Sequence, residues 1–266
     1  MLPDLGKIPL SVLVATKNEA PRIARCLEAL KDFAEIVVID SASTDGTAEI
    51  AAANGARVVN FEWAGSYPKK RQWCLDILDL AHDWVFFVDA DEVVTSALVE
   101  ELRDMDFAAA GYFVRGQYVF RGRVLKHGLK NNKLALFDRR RIEFPVVDDL
   151  DIEGMGEIEG HYQPVLKAGH EREEIGQIEA PLLHYAYEDE QGWRARHARY
   201  ARWEIEMDKR NAWPGDARLS KRLFKALPFR WGVAFLHSYF LKGGVLDGRA
   251  GLDFARSRAS YYRMIR

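Results

Sequence analysis

The chain has 266 residues, 48% of them hydrophobic and 29% charged, with a formal net charge of -2. That composition belongs to an ordinary globular protein and excludes disordered, collagenous and disulfide-framed classes. With only Cys26 and Cys74 there is no disulfide framework, so a reducing, cytoplasmic setting is expected and both thiols read as small core residues. The first residues lack a signal-peptide pattern, and no apolar run is long enough to span a bilayer.

In chain order, Pro9–Ala15 reads as a first strand, followed by the polar turn Thr16-Lys17-Asn18-Glu19. Pro21 opens a helix whose apolar face is Ile23, Cys26, Leu27 and Leu30. Ile36–Ile39 is a second strand ending in Asp40. A capping-rich turn, Ser41–Gly46, leads into a helix from about Thr47 to Asn54, with Gly55 as its stop. Arg57–Phe61 is a short third strand, and Lys69–Ala81 returns to helical spacing. Trp84–Val88 then reads as a strand buried on both faces, running into Asp89, Ala90, Asp91 and Glu92. Alternation sends Asp89 and Asp91 the same way, a pair of hard oxygen donors suited to a divalent cation that also holds phosphate.

Strand–helix–strand–helix–strand implies parallel strands with helices on both faces. Ligands in such sheets bind beyond the carboxyl ends of the strands. The three strand ends Thr16–Glu19, Asp40–Ser41 and Asp89–Asp91 are therefore expected to converge on one crevice. Neither a Gly-x-Gly-x-x-Gly turn after the first strand nor a Walker-type loop is present. Nicotinamide-dependent hydride transfer and P-loop phosphoryl transfer both lose support.

Later segments are less regular. Gly111–Arg115, Gln117–Phe120 and Leu134–Phe137 read as strands, and Pro145–Gly160, rich in carboxylates and glycine, as a loop or hairpin. Trp193–Arg210 has the spacing of a packing helix with a charged outer face. From Ala217 to Arg266 the chain carries a net +9, leaving the remainder at -11. There Lys221, Arg222, Lys225 and Arg230 mix with Leu223, Phe224, Leu227, Phe229, Trp231 and Phe235. This basic, aromatic stretch is expected to contact an anionic membrane surface, packing on the core or self-association being the alternatives. No nucleic-acid motif accompanies the charge.

Three motifs in order, Val12–Glu19, Val37–Thr47 and Val88–Glu92, resemble those of the family 2 inverting glycosyltransferases of GT-A fold. Among these the chain is most similar to small bacterial enzymes of lipopolysaccharide-core and exopolysaccharide biosynthesis. The likeness is strong over the first hundred residues and weaker through His127-Gly128, Leu136–Arg139, Gly160–Tyr162 and Leu183–Tyr185. It implies an α/β fold: a GT-A, Rossmann-like, mostly parallel sheet with helices on both faces and a basic, helical C-terminal extension. Residues 1–190 would form the catalytic domain, with a nucleotide-binding half (1–107) and an acceptor-side half (108–190). Residues 191–266 would form the extension.

The resemblance implies a metal-dependent inverting transferase moving a sugar from a nucleoside-diphosphate sugar, UDP by family habit. The acceptor would be a hydroxyl of a cell-surface glycan or lipid-linked saccharide, at the cytoplasmic face of the inner membrane. Thr16, Asn18 and Glu19 would line the nucleoside pocket and Asp40 would contact the base, although Glu19 and Asp40 also suit helix-start and turn-capping roles. Asp89 would contact the ribose or the metal, Ala90 would belong to the nucleotide-sugar site, and Asp91 would bind Mn²⁺ or Mg²⁺ directly. Arg71 would neutralise donor phosphate, whereas Lys69 and Lys70 equally suit a solvated basic turn. Glu157 is the first candidate for the base, followed by Asp149 and Asp148. His184 is a candidate late metal ligand, imidazole favouring Mn²⁺; His161 and His170 have weaker claims. The competing classes are a catalytically silent nucleotide- or glycan-binding scaffold at the membrane and a sugar-phosphate nucleotidyltransferase.

Overall fold

The computed structural model describes residues 6–159, 162–185, 190–213, 223–224 and 227–265. The chain divides into two compact units. The first comprises Met1–Gly116, Asn132–Phe144 and Gln163–His184, and the second Gln117–Asn131, Pro145–Tyr162 and Tyr185–Arg266.

The chain begins with strand β1 (Ile8–Thr16), helix α1 (Ala20–Glu28), strand β2 (Phe33–Asp40), helix α2 (Thr47–Ala53) and strand β3 (Arg57–Asn60). Helix α3 (Lys70–Ile77), strands β4 (Trp84–Asp89) and β5 (Glu92–Val94) and helix α4 (Ser96–Asp104) follow. Strands β6 (Gly111–Phe120), β7 (Arg123–Val124) and β8 (Asn131–Asp138) come next, then β9 (Ile142–Glu143), β10 (Val165–Leu166) and β11 (Ile175–His184). Among the described residues the main sheet has the order β3-β2-β1-β4-β8-β6-β11-β5, with β7 paired to β6, while β9 and β10 form a separate ribbon. Strands β3, β2, β1 and β4 are parallel; β8 runs antiparallel to β4, and β5 antiparallel to β11. The parallel core is as expected, while the antiparallel direction of β8 and of β5 is not written in the sequence pattern.

Alternation explains why these apolar runs are strands. Val12 and Val14 of β1, with Phe86 and Val88 of β4, pack with Ile23, Cys26 and Leu27 of α1 and Leu98 and Leu102 of α4. Leu13, Val85 and Phe87 point to the opposite layer, with Cys74 and Leu75 of α3. A sheet covered on both faces needs apolar residues at every strand position, hence the unbroken runs.

Three local differences from expectation have physical causes. Helix α3 ends at Ile77 rather than Ala81, because Leu78 turns extended (φ -74°, ψ 130°) and the chain delivers Leu80 to the core while Ile77 stays 61% exposed. Lys69 and Lys70 are buried, not on a solvated turn, with their ammonium groups 5.7 Å from the Tyr67 ring centre and 5.6 Å from that of Phe61. Their aliphatic stems pack while the charge meets an aromatic face. Gly111–Phe120 is one continuous strand rather than two segments.

In the second unit, α5 (Glu190–Arg210) buries Trp193, Ala201, Trp203 and Met207. Trp203 and Met207 form a small core with Val147, Ile152, Met155 and Tyr162. Residues 145–159 contain turns but neither strand nor helix, so the loop reading replaces the hairpin. Beyond them lie the helix Arg230–Leu236, a π-helical turn His237–Leu241, a 3-10 turn Gly244–Asp247 and the helix Gly248–Met264. His161, Lys221, Arg222 and Lys225 fall outside the described residues.

Candidate active site

The parallel register places the strand ends side by side. Thr16 pairs with Asp40, Ala15 with Asp89, and Asp40 with Asn60. The convergence expected from the sequence is therefore present: the polar ends of β2, β1 and β4 occupy one edge of the sheet.

Around β1 and β2 this edge is knitted by reciprocal hydrogen bonds. The Thr16 hydroxyl donates to Asp40 Oδ1 (2.9 Å), and Asp40 also accepts from the Ser43 backbone N–H (2.8 Å) and hydroxyl (2.6 Å). Asp40 thus caps its own turn. Asn18, at φ 56°, donates its backbone N–H to the Ser43 hydroxyl and accepts from the Thr44 N–H. Asparagine tolerates this left-handed conformation better than most side chains. The Glu19 N–H donates to Thr47 Oγ1 (2.8 Å), while the Glu19 carboxylate holds Arg22 at 2.8 Å. Thr16 and Asp40 are buried, Glu19 half-buried and Asn18 exposed.

At the central strand four charged side chains meet. Asp89 Oδ1 accepts from the Arg71 guanidinium (2.8 Å) and Oδ2 from the Lys133 ammonium (3.0 Å). Lys133 also reaches Glu92 Oε2 at 2.5 Å, and that oxygen accepts the Asp89 backbone N–H at 2.8 Å. Trp84 pairs with Asp138 and Phe86 with Leu136; carried to the end of β4, the same antiparallel register sets Lys133 opposite Asp89. Burial would raise the Asp89 pKa, but Lys133 and Arg71 overcome it and hold the carboxyl well below the usual range. Glu92, fully buried, is pushed up by burial against the pull of Lys133, and Asp89 pushes it further. Burial would lower the Lys133 pKa, but Asp89 and Glu92 keep it raised.

Asp91 leaves the strand beside this cluster. Strand β11 ends with His184 paired to Glu92, and His184 Nε2 lies 3.5 Å from Asp91 Oδ1. Burial would lower the imidazole pKa, but Asp91 and Glu92 raise it. Helix α1 closes the floor: Cys26 Sγ lies 3.7 Å from the Asp89 carbonyl. Burial, then the charges of Glu92, Asp89 and Asp91, raise that thiol's pKa far above its ordinary value.

A divalent cation fits this edge by donor chemistry. Asp91, buried, offers a hard oxygen and the adjacent, partly buried His184 an imidazole nitrogen. Among the described residues no group of three or more His, Cys, Asp or Glu side chains is arranged to hold a metal, so an ion here would take further donors from phosphate and water. Both oxygens of Asp89 hold cationic side chains, Arg71 on Oδ1 and Lys133 on Oδ2.

The candidate bases lie in the second unit. Asp149 is buried and its Oδ2 accepts the Trp203 indole N–H at 2.9 Å; Asp148 is exposed and Glu157 half-buried. His170 is engaged with Glu173. A cavity of about 310 Å³, bordered by Asp151, Arg202 and Arg210, also lies in the second unit and contains none of the expected site residues. Sequence reasoning missed Lys133 and Glu92. Their signal was positional: a polar residue just before the apolar run Leu134–Phe137, and a third carboxylate after Asp91.

A family model for glycosyl transferase family 2 matches residues 11–152, more than half the chain. The chain belongs to that family, and its α/β fold is of the GT-A class. Relatives include the lipopolysaccharide core biosynthesis glycosyltransferase LpsC of Rhizobium meliloti, 36% identical over 106 residues, 38% of each chain. An uncharacterized glycosyltransferase of Rickettsia felis is 37% identical over 94 residues, covering 35% of this chain and 32% of its own. The matched stretch spans about a third of these curated relatives. Among solved structures, S. aureus TarS 1–349 aligns over 97% of this chain and 92% of its own, at 16% identity and TM-score 0.45. Glucosyl-3-phosphoglycerate synthase from Mycobacterium tuberculosis aligns over 42% of this chain and 44% of its own, at 25% identity and TM-score 0.32.

Proposed function

We propose that the chain is an inverting glycosyltransferase that moves a sugar from a nucleoside-diphosphate sugar to a hydroxyl of a glycan or lipid-linked saccharide. The observation that carries this reading is the in-register alignment of Thr16, Asp40 and Asp89 at one sheet edge, with Asp91 and His184 beside it. Family membership supplies the chemical class. A polar crevice outside the carboxyl ends of parallel strands is where open α/β sheets take nucleotides.

The edge from Thr16 through Glu19 to Asp40 receives the nucleoside, its loops already held by their mutual hydrogen bonds. Asp91 and His184 hold a divalent cation, Mn²⁺ or Mg²⁺, which when bound offsets the charge building on the departing diphosphate. Arg71 stands next to Asp89 at the same edge and adds positive charge to the phosphate side. Lys133 fixes Asp89 and Glu92 from beneath. A general base must reach the acceptor hydroxyl. Burial and the Trp203 hydrogen bond make Asp149 an anchor of its loop, so Glu157 is preferred and exposed Asp148 stands second.

Calorimetry with UDP, with and without Mn²⁺, tests donor binding, and a hydrolysis screen over nucleotide sugars tests activity. Asp91→Ala should abolish turnover while leaving a folded protein. Near-normal turnover of that variant with unchanged metal dependence overturns the assignment, and a wild-type protein that binds no UDP favours a scaffold.

A further inference from the structure

We infer that the second unit carries a docking face for an anionic lipid bilayer, formed by the segment 227–249 together with the loop 121–130. The inference goes beyond the transfer reading and does not depend on it. Phe229, Leu236, Phe240, Leu241 and Leu246 are between 53% and 79% exposed, and the segment 223–246 holds nine of the thirteen large apolar side chains exposed among the described residues. A concentration of this kind marks a surface that is covered in use.

The face is built rather than loose. Gly243 and Gly248 bracket the 3-10 turn with left-handed backbone (φ 74° and 61°). A Cβ on Gly251 would sit 1.9 Å from the Gly244 carbonyl, so the helix Gly248–Met264 presses directly on the turn. The loop 121–130 is tied to the same turn. The N–H groups of Lys126 and His127 donate to Asp247 (3.0 and 2.9 Å), and the Gly128 N–H donates to the Lys242 carbonyl (2.7 Å).

Charge selects the occupant. Those ties bring exposed Lys126 to the segment that carries exposed Lys242 and Arg249. The acids nearby are engaged: Asp247 holds the loop, and Asp253 pairs with Arg121 and Arg256. Apolar side chains flanked by cations match a bilayer whose headgroups are anionic. A second copy of the chain fits less well, because a two-fold interface sets a surface against itself and would bring the cations together. No described helix is long and apolar enough to cross a membrane, so contact is interfacial.

Sedimentation of the full chain with phosphatidylcholine vesicles, against mixed phosphatidylcholine–phosphatidylglycerol vesicles, tests the inference. Binding should favour the anionic vesicles by about tenfold or more and weaken with salt. Leu241→Glu with Leu246→Glu should lose that binding, and Lys126→Glu with Lys242→Glu should lose the preference for anionic lipid. Both variants should retain the wild-type circular dichroism and whatever donor hydrolysis the wild type shows, which separates this result from the transfer reading. Equal binding by wild type and the Leu241/Leu246 variant, no binding by either, or a wild-type dimer that the variant abolishes without any vesicle binding would each overturn the inference.

Discussion

Replacing Lys133 with Met removes the ammonium that lies 3.0 Å from Asp89 and 2.5 Å from Glu92. The methylene stem is approximately conserved, so the change isolates charge. Glu92 has no exposed surface, and its remaining hydrogen bond at Oε2 comes from the Asp89 N–H. Breaking a buried pair by removing one partner costs about 3–5 kcal/mol. Asp89 keeps Arg71 and is 34% exposed, which limits its share of the loss. We therefore expect destabilisation near the lower end, about 3 kcal/mol. Adding Glu92→Gln removes the stranded charge and should restore most of that loss, giving a coupling energy of about 2 kcal/mol. Urea unfolding of wild type, both single variants and the double variant measures the cycle. A loss below about 1 kcal/mol for Lys133→Met, or strictly additive variants, would refute the view that Lys133 is the counter-charge of a buried carboxylate.

Two further outcomes are expected. Thr95 accepts the Leu98 N–H at 3.2 Å as the cap of α4 and donates to the Pro181 carbonyl at 2.8 Å; Thr95→Ala should cost about 1 kcal/mol in urea unfolding. Asp138 would be raised by burial, but hydrogen bonds from Arg140 and the charges of Arg140 and Arg141 hold its pKa below the usual carboxylate value. A depressed carboxyl contributes stability that is complete above its unfolded pKa of about 4 and is lost as pH falls through the lower folded value. Asp138→Asn should therefore be less stable than wild type at neutral pH, with the gap closing below pH ~4. Urea midpoints across that range provide the check, and a gap independent of pH would contradict it.

The parallel half of the sheet was legible because buried parallel strands write themselves as unbroken apolar runs ending in polar residues. Val12–Val14 and Val85–Val88 do so, and their ends met in register. Helix α4 was not legible: Leu98 and Leu102 are its fully buried anchors, too few to establish a period. Lys133 was hidden for another reason. Its burial follows from antiparallel pairing of β8 with β4, a contact between distant segments that no local pattern encodes. Lys69 and Lys70 differ, since their aromatic neighbours Tyr67 and Phe61 lie just upstream in the chain; charge alone pointed to a solvated turn, and the packing of their stems overrode it. The Asp91–His184 meeting depends on β11 pairing with β5; the residues alone show only a strand end at His184, and its place beside Asp91 came from the family resemblance.

Both native cysteines are buried, Cys26 beneath the acidic cluster and Cys74 donating to the Lys70 carbonyl at 3.0 Å. Maleimides and other alkylating probes should therefore ignore the wild-type chain under folding conditions. A single cysteine installed at Leu241 would then be the sole point of attachment for an environment-sensitive dye. The intact protein becomes its own reporter of surface contact, with no need to strip its natural thiols first.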